Sequence, residues 1–94
     1  MEKVIYDFKD LGLASYLIAN GGSFKGIQIK YVKRFNEFKI FVRIEGEKDY
    51  LLKMRDYYEE NKIQILKSKT IISMVNKLSD RVERILKNEE ENTF

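Results

Sequence analysis

The residues of this chain best suited to chemistry are cations set among aromatic rings. Lys30, Lys33, Arg34, Lys39 and Arg43 accompany Phe41 within a basic block that carries a net +4 over residues 23–48. Cations track phosphates and rings stack on bases, and single-stranded nucleic acids are held by that combination. A second block, +4 over residues 63–87, contains Lys77, Arg81 and Arg84. Their spacings of four and three put them on one face of a helix, where they are open to a partner. Plain solvation is the competing reading, because Asp80 and Glu83 interleave with them.

A third candidate is the run Gly21-Gly22-Ser23-Phe24-Lys25-Gly26, which has the G-x-x-x-x-G spacing of a phosphate loop. Ile27-Gln28 stand where such a loop needs Lys and Ser or Thr. The order is also reversed, helix then loop then strand, so the run presents carbonyls and the negative end of the helix dipole. It reads as a helix stop.

Other chemistry is poorly supplied. The chain has no cysteine and no histidine. Disulfides, thiolate ligands and the usual proton shuttle are therefore missing, and zinc and transition-metal sites lose their commonest ligands. No metal site and no cofactor are expected. Asp49, Asp56, Glu59 and Glu60 read as solvated helix-surface residues, so the expectation is a protein that is not an enzyme. Tyr57-Tyr58 should present one ring to the core and one to solvent, leaving Tyr57 as a contact residue for a protein partner.

Ninety-four residues position these groups in one small domain, expected over 1–88, followed by an acidic disordered tail, 89–94. Val4–Phe8 is β-branched and aromatic and predicts a strand. Asp7 is placed to cap the next helix, in which Leu11, Ala14, Leu17 and Ile18 repeat at helical spacing until Gly21. Residues 27–32 and 38–45 predict an antiparallel hairpin joined by Lys33–Glu37. In its second strand Phe38, Ile40, Val42 and Ile44 share one face, with Lys39, Phe41 and Arg43 on the other. That second face is either free to bind, or covered by helices with Phe41 as core, or an edge kept soluble by lysine.

Asp49 is a cap for a helix running to about Asn61, and residues 63–66 fit either a short strand or a linker. Ser68 caps a last helix whose Ile71, Val75, Leu78, Val82 and Ile85 form a heptad seam. The seam suits packing onto the sheet or pairing with a second copy through the C-terminal helix. The order β-α-β-β-α-α makes an α+β fold, a small antiparallel-containing sheet covered by helices. No apolar run approaches the ~20 residues of a membrane helix, and the first residues lack a signal-peptide layout. A cytoplasmic protein with no membrane partner is expected.

The run Tyr6-Asp7-Phe8-Lys9-Asp10-Leu11-Gly12-Leu13-Ala14-Ser15-Tyr16-Leu17, closing with Gly21, resembles a family of small bacterial and phage proteins built on a domain of unknown function. The family's pattern is an aromatic residue, then Lys-Asp-Leu, any residue, Leu-Ala, and a glycine that ends the helix. Tyr57-Tyr58 and Leu78-Ser79-Asp80-Arg81 look like its later tyrosine pair and basic last helix, so the likeness spans residues 4 to about 87. Phe8 departs from it, standing where the family has a small hydroxyl residue. The resemblance implies a mobile-element setting and supplies no catalytic residues. Together these features lead to a small non-enzymatic binding module that contacts nucleic acid through a basic β-hairpin. Two alternatives stay open: a protein-binding inhibitor of a host defence system, similar in kind to anti-CRISPR proteins, and a structural homodimer.

Overall fold

The computed structural model describes residues 2–92, with side chains described through Lys87; the tail expected at 89–94 lies outside the residues described in full. The element order is β1 (Lys3–Phe8), α1 (Leu11–Ala19), β2 (Ser23–Val32), β3 (Glu37–Glu47), α2 (Lys48–Ile65) and α3 (Lys69–Asn92). It is the α+β order β-α-β-β-α-α. The three strands form one antiparallel sheet in the order β1-β3-β2, so β3 is central. Among the described residues no helix is long and apolar enough to cross a membrane.

β1 ends at Phe8, which pairs with Val42, and Asp7 therefore belongs to the sheet opposite Arg43. This corrects the expected cap. Asp10 starts α1 instead: its Oδ1 accepts from the Gly12 and Leu13 N–H groups at 2.8 and 3.3 Å. Strand pairing holds the chain extended through Phe8, and the helix can begin only after it. At the other end Gly21, with φ +102°, lets its N–H reach the Ile18 carbonyl while the Gly22 N–H reaches that of Leu17. This paired closure is a Schellman motif, and it turns the chain straight into β2.

Both hairpin strands are longer than the sequence predicts, and a bulge between Phe24 and Gly26 shifts their register. Their connection is a 3-10 turn, Lys33–Phe35, closed by Asn36 in the left-handed region (φ 49°). α2 is preceded by Glu47 without a side-chain cap, leaving Asp49 in its first turn as dipole complement. It does not stop at Asn61. That residue is a non-helical kink (φ −123°, ψ 23°), after which residues 63–65 continue as helix. They form neither strand nor linker. Ser68 contributes its carbonyl to the first turn of α3, accepting from the Ile72 N–H at 2.9 Å.

All three helices lie on one face of the sheet. Val42 and Ile44 of β3 are wholly buried there with Leu13, Ala14 and Leu17 of α1, Leu51 and Tyr58 of α2, and Ile71 and Leu78 of α3. The heptad seam is used within the chain: Ile71, Leu78 and Val82 are all buried.

Candidate nucleic-acid interface

Period-two alternation sends Lys39, Phe41 and Arg43 to the face that no helix covers. Of the three readings of that face, burial beneath helices is excluded, because the helices take the side of Val42 and Ile44. β1 pairs with β3 only from Val42 onward, so the hairpin beyond it is a two-stranded ribbon. This ribbon, roughly residues 28–41, carries Lys30, Lys33, Arg34 and Lys39 against one acidic residue, Glu37.

Lys30 and Lys39 are direct cross-strand partners. Like charges placed so are mutually destabilising, and two rings offset this. Phe41 lies beneath the ammonium groups of Lys30 (5.1 Å) and Lys9 (5.6 Å). Phe35 at the tip faces Lys39 (5.8 Å) and the Arg34 guanidinium (5.5 Å). Among the described residues none of Lys30, Lys33, Arg34 and Lys39 forms a salt bridge.

Arg43 differs. Its Nε donates to Asp7 Oδ1 at 3.1 Å, and nearby Lys25 meets Glu45 at 3.8 Å. Acidic residues therefore neutralise the three-stranded part of this face and leave the ribbon positive. Phe41 is half-buried under its two lysines rather than open. The open rings are Tyr31, Phe35 and Phe38, 52%, 60% and 51% exposed. Sequence reasoning passed over these three: Tyr31 and Phe38 because aromatic residues in a strand read as core, Phe35 because it falls in the connecting turn. Their signal was position: each lies within three residues of the turn.

The second group is not gathered with the first. Lys77, Arg81 and Arg84 are exposed on α3, where the Arg81 guanidinium lies 4.9 Å from the centre of the Phe24 ring. Phe24 is six residues from Lys30, about 20 Å along an extended strand. Tyr57 and Tyr58 divide as expected. Tyr57 is exposed and lies nearly parallel to Tyr16 at 6.3 Å, beside a cleft of about 440 Å³ that Lys53, Asp56 and Glu60 also line.

Tyr58 is fully buried, and its hydroxyl donates to Asp10 Oδ2 at 3.4 Å. Burial first, then the Asp10 carboxylate, pushes its phenol up to about 12. Tyr16 is raised as well, again chiefly by burial and then by Tyr57. Gly12 lets this arrangement close, because a Cβ there would stand 2.5 Å from the Tyr58 oxygen. These groups join α1 to α2. Among the described residues no cluster of three or more acidic residues gathers closely enough to hold a metal ion.

No protein-family model, no curated protein and no solved structure matches the chain.

Proposed function

We propose that this chain is a small binding module that contacts nucleic acid through the β2–β3 ribbon. One observation carries the reading: four cations without acidic partners among the described residues share a two-stranded ribbon with three half-exposed rings. Phosphate contacts supply most of the affinity of such modules and make it fall steeply with salt. A two-stranded ribbon is also narrow enough to approach nucleic acid from either face.

Charge reversal tests this. The pair Lys30→Glu and Lys39→Glu should abolish binding to labelled oligonucleotides at about 50 mM salt, where phosphate contacts are strongest. The matched pair Lys77→Glu and Arg84→Glu, on α3, should lower it by less than about threefold, the effect of net charge alone. Binding that is absent in the unmodified chain, or insensitive to salt, overturns the proposal. So does equal loss in the two pairs.

A further inference from the structure

We infer that the ribbon takes a single strand rather than a duplex, the strand passing around its two faces: an unstacked base on the Tyr31–Phe38 pair and phosphates of neighbouring nucleotides on Lys30 and Lys39. This rests on the nucleic-acid reading above and narrows its ligand. Tyr31 and Phe38 are cross-strand partners, as are Lys30 and Lys39 one position away. Alternation therefore puts the ring pair and the lysine pair on opposite faces of the same two strands.

Neither face is closed at this level. The ring pair lies on the side that bears the helices, yet half of each ring is exposed. The ring centres are 5.1 Å apart at an angle of 54°. The Tyr31 hydroxyl donates to Asn36 Oδ1, tying the ring to the turn residue in the left-handed conformation. The platform is thus held before any ligand arrives, which lowers the cost of ordering it.

A duplex cannot use both faces. Its bases are already stacked on one another, and a ribbon lying in a major groove turns one face to the bases and the other away. Docked by its lysines, it would leave Tyr31 and Phe38 idle. A single strand has free base faces and a flexible backbone, so it can pass around a thin ribbon and satisfy both pairs. It also relieves the repulsion between Lys30 and Lys39, which have no acidic partner among the described residues. Ring stacking and phosphate contact are indifferent to the sugar, so oligothymidylate and oligouridylate should both bind.

The test is an anisotropy titration with labelled oligothymidylate and oligouridylate of about 12 nucleotides, and with a duplex of equal length. Single strands are expected to bind at least about tenfold tighter than the duplex, the gain from stacking one base or more. Tyr31→Leu with Phe38→Leu keeps apolar bulk and removes the flat rings. This double variant should weaken single-strand binding about fivefold or more while leaving the salt slope unchanged. Lys30→Ala with Lys39→Ala should lower that slope by about 1.4, two phosphates on a single strand.

The upfield shift of the Tyr31 ring protons on titration provides a readout that does not depend on the hairpin tolerating leucine. Duplex binding as tight as single-strand binding overturns the single-strand inference and leaves the nucleic-acid reading standing. An unshifted Tyr31 ring together with a neutral leucine pair does the same. Failure of every oligonucleotide to bind overturns both.

Discussion

Strand β3 passes through two environments in the space of six residues. At Val42 and Ile44 it is the centre of a three-stranded sheet beneath three helices, and both side chains are wholly buried. At Phe38, on the same face, it is one half of a ribbon, and half of the ring is open to solvent. The alternation of residues is the same in both places. The difference is where β1 stops, a boundary set by residues more than thirty positions away. One half of the strand is committed to holding the fold, and the other displays charge and rings on a scaffold stabilised elsewhere.

Breaking the covered half should cost most. Leu17→Ala, at a side chain 1% exposed, is expected to lower unfolding free energy by about 2–5 kcal/mol, against less than about 0.5 kcal/mol for Phe35→Ala at the tip. Urea titration of the two variants measures the contrast directly. Comparable losses would mean that the ribbon is part of the core.

A smaller effect sharpens the boundary between the regions. Asp10→Ala removes the cap of α1 and should cost about 1 kcal/mol. Asp7→Ala removes only an exposed pair with Arg43 and should cost less than about 0.5 kcal/mol. The reverse order in urea midpoints would return the cap to Asp7.

The last effect shows only in alkali. Folded Tyr58 keeps its proton to about 12, against 10.0 for the free phenol. The unfolded chain therefore binds fewer protons between those values, and stability falls as pH rises through them, being fully present below about 10. Tyr58→Phe should show a shallower decline between about pH 10 and pH 12, with lysine titration common to both proteins. Identical slopes would remove the buried phenol from the balance.

Much of this architecture was legible locally. The Gly21 stop, the two faces of β3 and the division of Tyr57 from Tyr58 each depend on a few neighbouring residues. What escaped depends on distant ones. Asp7 and Asp10 are equally good caps in isolation, and only the pairing of Asp7 with Arg43 decides between them. Tyr31 and Phe38 look like core residues because strand aromatics usually are, and no local pattern reveals that the third strand ends before them. Arg43 shares a face with Lys39, yet its acidic partner comes from β1.

The sheet order has a consequence in time as well as in space. β2 and β3 are neighbours in sequence, so their hairpin can close within microseconds of both strands being available. β1 precedes them and pairs across a gap that runs from Lys3 to Glu47. During synthesis it has no partner strand until the whole hairpin has been made. The β2–β3 pairing thus joins near neighbours in the chain, whereas the β1–β3 pairing must close a much longer loop before its contacts can form.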